Sequence, residues 1–221
     1  MEISQESIDL IIAWEVGGGD RELARPQYES TYARPHWPGN NGSGLTIGIG
    51  YDLKYAKSWF EGDWKTRLEA LRKPTDAYTR LAGYIGRRGS RAAERATRDI
   101  VIPWDDAISV FRIRRLPHFV EETKRMFPGI ESMDPHVWGA LTSVIYNCGI
   151  GTEGDSRVLK KAAYDAIRTA VAGRDVASVA AGIRALKDFH DLSPKVARGL
   201  KRRRDAEAAL VETLLDAESA A

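Results

Sequence analysis

Along residues 45–53 the apolar positions Leu45, Ile47, Ile49, Tyr51 and Leu53 alternate with Thr46, Gly48, Gly50 and Asp52, the period-two pattern of a strand with one buried face. Thr46 and Asp52 therefore share the polar face. A straight strand would hold them roughly 20 Å apart, at about 3.3 Å per residue, too far to serve one reacting centre. Gly48 and Gly50 tolerate positive φ and allow the strand to reverse. The pattern thus predicts a hairpin that brings a hydroxyl and a carboxylate together over a floor without side chains, a surface suited to a flat ligand such as a sugar ring.

The rest of the chain reads mostly at helical spacing. Ser4 can cap a helix to about Trp14 whose apolar positions are Ile8, Ile11 and Ile12, and Glu15 continues that face. Gly17-Gly18-Gly19-Asp20 ends it. From Arg21 to Gly44 the sequence is polar and rich in turn formers (Asn40 and Asn41 among them), with Tyr28, Tyr32, His36 and Trp37 interspersed; it predicts a long irregular excursion. Helices are expected over Tyr55–Leu71 with a break near Gly62, and over Asp76–Gly83. Another should run from Trp104 to about Glu122, with Pro117 kinking or ending its first part. Between them, Gly86 to Arg91 reads as a basic loop or a helix start. Asp134-Pro135 is an N-cap followed by proline at the first helical position, and Val137, Leu141, Val144 and Ile145 trace a buried stripe as far as Asn147-Cys148-Gly149-Ile150-Gly151. Further helices are expected from about Ser156 to Ala172, from Val176 to Asp188, and from Ser193-Pro194 onward.

Composition narrows the class. Hydrophobic residues make up 43% and charged residues 29% of 221 residues, as in a globular chain with a substantial core, expected here as one continuous unit with two lobes. No apolar run approaches the roughly eighteen residues of a membrane span. The acidic start Met1-Glu2-Ile3-Ser4-Gln5-Glu6 lacks the basic region of a secretory signal, so synthesis in the cytoplasm without autonomous export is expected. A single cysteine, Cys148, cannot form an internal disulfide. Net charge is only +2, with basic clusters at Arg112-Ile113-Arg114-Arg115 and Lys201–Arg204. The second lies on a helix whose apolar positions are committed to packing, and no nucleic-acid-binding motif accompanies it. His36, His118, His136 and His190 show no metal-ligand spacing, so neither a metal nor another cofactor is expected.

Several residues carry candidate chemistry. A carboxyl such as Glu15 on a face shared with isoleucines is partly desolvated, which favours its protonated form, as a general acid requires; the plainer alternative is that Glu15 merely ends an amphipathic helix. Asp20, five residues on, is a rival carboxylate. Trp37, among loop formers, is the best sugar-stacking candidate of six tryptophans, against packing beneath the loop. Tyr51 beside Asp52 is a further candidate contact, and Asn147 could either touch substrate or cap the end of its helix.

Three segments resemble the phage-type lysozymes, or endolysins: the helix ending in Glu15, the hairpin Thr46-Ile47-Gly48-Ile49-Gly50, and the helix Ala140–Asn147 with its Gly-x-Gly end. Gly199-Leu200-Lys201-Arg202-Arg203-Arg204-Asp205-Ala206-Glu207 is similar to the family's Gly-Leu-x-x-Arg-Arg-x-x-Glu element. In the common family pattern the catalytic Asp lies nine residues after the Glu and six before the Thr, but Ala24 and Asn40 occupy those counted positions. The pesticin-like branch of muramidases has its Asp six residues after the Thr, and Asp52 fits that order.

The resemblance implies a lysozyme-like α+β fold, a mostly helical large lobe and a small β-hairpin lobe at about residues 25–55 with a cleft between them, forming one catalytic domain over residues 1–221. It implies hydrolysis of the β-1,4 bond between N-acetylmuramic acid and N-acetylglucosamine, with Glu15 as acid, Asp52 as base or charge stabiliser, and Thr46 orienting water. The implied partner is peptidoglycan, met by a monomer without stable membrane insertion after release through a holin. Arg202 or Arg203 could hold Glu15 by charge pairing. Two other classes remain: a lytic transglycosylase using Glu15 alone, and a non-catalytic wall-binding module.

Overall fold

The computed structural model describes residues 2–39, 42–56, 58–150, 158–187 and 194–219. The expected features at Asn40, Asn41, Gly151, Ser156, Asp188, His190 and Ser193 lie outside these residues. The chain divides into two compact units, one made of residues 1–14 and 117–221 and the other of residues 15–116.

The first unit is helical. Helix α1 (Gln5–Val16) starts where its cap predicts, the Ser4 hydroxyl accepting the Ser7 N–H at 3.2 Å, and it runs two residues past Trp14 before the glycines stop it. Gly18 and Gly19 both adopt positive φ there. Helix α9 (Pro135–Cys148) has Asp134 accepting the His136 N–H and Pro135 in its first turn, where a missing N–H costs nothing. Every residue from Val137 to Ile145 is buried, so α9 is the core of this unit. Gly139 lets α1 approach, since a Cβ there would meet the Ser7 side chain at 1.9–2.1 Å.

Helices α10 (Val158–Ala172), α11 (Val176–Ala185) and α12 (Pro194–Ser219) follow. Successive members pack on each other, and α12 and α11 also lie against α9. Gly182 permits the α10–α11 crossing, because a Cβ would lie 2.5 Å from Ile167 Cγ1.

At the C-terminal end of α9 the chain gathers buried charge. Glu207 is wholly buried and Arg203 and Arg204 nearly so. The Glu207 carboxylate accepts from Ser143 Oγ at 2.5 Å, Arg203 Nε at 3.1 Å and Arg204 Nη2 at 2.9 Å. Arg204 also donates to Asn147 Oδ1 and Cys148 Sγ. Lys160 Nζ donates to the carbonyls of Cys148 and Gly149, and Tyr164 adds its hydroxyl to Gly149. Cations at this end also suit the negative pole of the helix.

The second unit holds the hairpin among short helices. Where an irregular excursion is expected, the chain instead forms helix α2 (Ala24–Gln27) running into a π turn at Tyr28–Tyr32. Pro26 is tolerated because it lies in the first turn. Tyr28, fully buried, donates its hydroxyl to the Ile102 carbonyl at 2.9 Å and meets Trp104 edge-on. Strands β1 (Thr46–Ile47) and β2 (Tyr51–Asp52) pair antiparallel. Helices α3 (Leu53–Ala56) and α4 (Trp59–Glu69) come next. Gly62 does not break α4: it faces open space, so the cost is only the loss of helix propensity.

Helices α5 (Ala77–Ala82), α6 (Arg91–Thr97) and α7 (Trp104–Val110) complete this unit, and α6, read from sequence as a loop or helix start, is capped by Ser90. Pro117 neither ends nor visibly interrupts the helix that follows, α8 (Leu116–Met126). The departure comes just before it, in a π turn at Phe111–Arg115 in which the Leu116 N–H bonds the Phe111 carbonyl. A wider turn there accommodates the proline ring and its missing donor. Among the described residues no helix is long and apolar enough to cross a membrane.

Candidate active site

The hairpin is built as its parity requires. Gly48 and Gly50 take positive φ at +54° and +65°, turning the chain within three residues, and Thr46 stands opposite Asp52, Ile47 opposite Tyr51. The Leu53 N–H bonds the Leu45 carbonyl at 2.8 Å, so Thr46 and Asp52 form the intervening non-hydrogen-bonded pair. Such pairs bring their Cα atoms to about 4.5 Å, with side chains on the same face. Trp64, buried beneath, sets the floor: a Cβ on Gly48 would lie 3.0 Å from its ring.

A third segment joins this pair. His36 and Thr46 exchange both backbone hydrogen bonds, at 3.0 and 2.8 Å, so β1 lies between the His36 segment and β2. Imidazole, hydroxyl and carboxylate thus emerge on one face. The flanking Pro35 and Pro38 bias this segment toward extended backbone, which is the signal in the sequence that could have placed His36 here. Burial pushes the His36 imidazole below its ordinary pKa, against the Arg34 backbone and the charge of Glu94.

Asp52 is half-buried. Its Oδ1 accepts the Lys54 N–H at 2.8 Å and the Gly44 N–H at 3.0 Å, with Oδ2 at 3.1 Å from the same Gly44 nitrogen. Burial raises its pKa above the ordinary value, while the Lys54 and Gly44 N–H groups and the Lys54 charge pull it down. The segment before β1 is held close by Lys54 Nζ and the Tyr55 hydroxyl, both donating to the Gly42 carbonyl. Gly44 was not singled out in the sequence, yet no side chain fits there: a Cβ would lie 2.6 Å from Asp52 Oδ1 and 2.7 Å from the Lys54 nitrogen. Thr46 is 8% exposed.

The other candidates fall as follows. Glu15 sits in the last turn of α1, half-buried. Asp20 is exposed, and its Oδ1 accepts the N–H groups of Glu22 and Leu23 in a turn. Trp37 is half-buried, with the Arg91 guanidinium 5.8 Å from its ring centre and the Gly89 backbone against its edge. Tyr51 is buried on the face opposite Asp52, donating to Asp63 Oδ2 at 3.0 Å, with Trp64 edge-on to its ring. Arg115 lies over the rings of both Tyr51 and Trp59, at 5.1 and 4.8 Å. In the other unit Asn147 is exposed and accepts from Arg204. Arg203 is engaged with Glu207 and Ser143, and Arg202 lies over Trp14.

A two-stranded hairpin carrying a hydroxyl–carboxylate pair, within an otherwise helical chain, is the construction of a lysozyme-like α+β protein. The model of the phage lysozyme family matches residues 43–207, and the chain belongs to that family. Membership gives it the class of a peptidoglycan-hydrolysing endolysin, a glycosidase of muramidase type. The match takes in Thr46, Asp52 and the Arg203–Glu207 element but not Glu15. No curated protein matches the chain.

Proposed function

We propose that the protein is a muramidase of the pesticin-like arrangement, cleaving the β-1,4 bond from N-acetylmuramic acid to N-acetylglucosamine with two carboxylates. The observation that carries this reading is the Thr46–Asp52 pair on the glycine hairpin, in which the acid follows the threonine by six residues. Glu15 donates a proton to the leaving glycosidic oxygen as the C–O bond breaks. Asp52, ionised, takes a proton from the water that attacks the anomeric carbon, and Thr46 orients that water. Attack from the face opposite the leaving group inverts the anomeric centre, which calls for carboxyl groups about 6.5–9.5 Å apart. Trp37 offers its half-exposed ring to a sugar, and Tyr51 supports the hairpin from beneath.

One observation favours a second reading. The Asp52 oxygens already accept backbone hydrogen bonds from Gly44 and Lys54, so Asp52 has a structural task that would remain if Glu15 worked alone as a transglycosylase. Digestion of purified peptidoglycan by wild type, Glu15→Gln and Asp52→Asn separates the two. A muramidase releases reducing muramic ends, and both folded variants lose activity, each by about a thousandfold or more, as expected when an acid or base is removed. An active Asp52→Asn with anhydro products, lighter by one water, would replace the muramidase by the transglycosylase. A folded wild type inert on every wall preparation would remove both.

A further inference from the structure

His36, which the mechanism above leaves unused, completes a row of three. It stands directly beside Thr46, with which it exchanges both backbone hydrogen bonds, while Asp52 faces Thr46 from the other side as a non-hydrogen-bonded pair. Its Nδ1 is buried and has no hydrogen-bond partner among the described residues. A buried polar atom left in that state calls for an explanation. The Tyr32 ring, centred 5.0 Å from the imidazole and tilted by 60°, restricts how the ring can turn. The neutral imidazole offers one ring nitrogen as an acceptor and one as a donor.

We propose that His36 is a positioning residue of the hydrolytic site, accepting the Thr46 hydroxyl proton at Nδ1 and so fixing which way that hydroxyl points. The inference rests on the muramidase reading. A hydroxyl that donates to His36 can meet water only as an acceptor. The water then donates one proton toward Thr46 and the other toward Asp52, which leaves its lone pair aimed at the anomeric carbon. With His36 absent, the hydroxyl rotates freely, and the water loses one of two directional constraints while the substrate contacts stay as they were.

Three replacements test this. Phenylalanine keeps the ring against Tyr32 and removes both nitrogens, asparagine can present a polar atom where Nδ1 sits, and glutamine presents one where Nε2 sits. Steady-state kinetics on solubilised peptidoglycan should show kcat reduced at least about tenfold in His36→Phe and His36→Gln, the worth of one positioning hydrogen bond, with KM unchanged. His36→Asn should recover most of kcat at a comparable melting temperature. If His36→Phe does not fold, the contrast between Asn and Gln decides alone. Equal kcat in Asn and Gln, or a loss confined to KM, overturns the role of His36. An active wild type with a fully active His36→Phe does the same and leaves the muramidase reading standing. An inert, folded wild type overturns both.

Discussion

Replacing Gly44 by alanine tests whether the backbone around the hairpin sets the chemistry of Asp52. The new Cβ would arrive 2.6 Å from Asp52 Oδ1, 2.7 Å from Lys54 Cβ and 2.7 Å from the Lys54 nitrogen. The last of these is backbone and cannot swing aside, so the carboxylate and the segment bearing Gly44 must separate by about 1 Å to restore ordinary contact. That movement breaks the Gly44 N–H bonds to the carboxylate and disturbs the one from Lys54. Hydrogen bonds to a charged group are worth roughly 1.5–3 kcal/mol each. Because water can replace part of the loss at a half-buried site, a destabilisation of about 2 kcal/mol is expected in urea unfolding.

The kinetic effect should be larger than that. A displacement of about 1 Å at a reacting group can cost on the order of a hundredfold in rate. The pH profile carries the sign. Burial raises the Asp52 pKa, and the Gly44 N–H is one of the groups opposing that rise, so removing it moves the pKa further up. With Asp52 as the base proposed above, the acid limb of kcat/KM should therefore shift to higher pH in Gly44→Ala. A folded variant with wild-type kcat/KM and an unmoved acid limb would refute the argument that this contact governs Asp52.

Two further substitutions probe the scaffold. Glu207→Gln should destabilise the protein by about 3 kcal/mol, because two nearly buried guanidiniums lose their counter-charge; a cost below about 1 kcal/mol in chemical denaturation would mean that Asn147 and Ser143 suffice to hold them. Tyr28→Phe removes the hydroxyl bound to the Ile102 carbonyl and should cost about 1–2 kcal/mol, the penalty of leaving a buried acceptor unpaired, read as a lower denaturation midpoint with unchanged slope.

What could be read from the sequence was what short-range rules decide. The Thr46–Asp52 parity and the glycine turn follow from alternation and backbone freedom, and the start of α9 follows from Asp134-Pro135. The π turns at Tyr28–Tyr32 and Phe111–Arg115 were not legible, because they answer to packing of Tyr28 against Trp104 and to the proline at 117, not to local propensity. Gly62 misled for the opposite reason: a glycine read as a break is tolerated on an open face. The Arg203, Arg204 and Glu207 spacings of four and three do put these groups on one helix face. Their burial against Ser143 is a tertiary fact, and no pattern within α12 announces it. His36 reaches the site only by pairing with a strand ten residues away, and Gly44 matters only because of where Asp52 comes to rest.

The close contact of Ser7 with Gly139 also sets a schedule. The two residues are separated by more than half the chain, yet α1, only 12 residues long, is of a length that is marginal as an isolated helix in water. During synthesis at about 5–20 residues per second, α1 leaves the ribosome on the order of ten seconds before α9 exists to receive it. The helix that carries Glu15 is therefore made well before the helix that secures this face of it, so a nascent or truncated chain lacking α9 lacks the seat on which that helix is held.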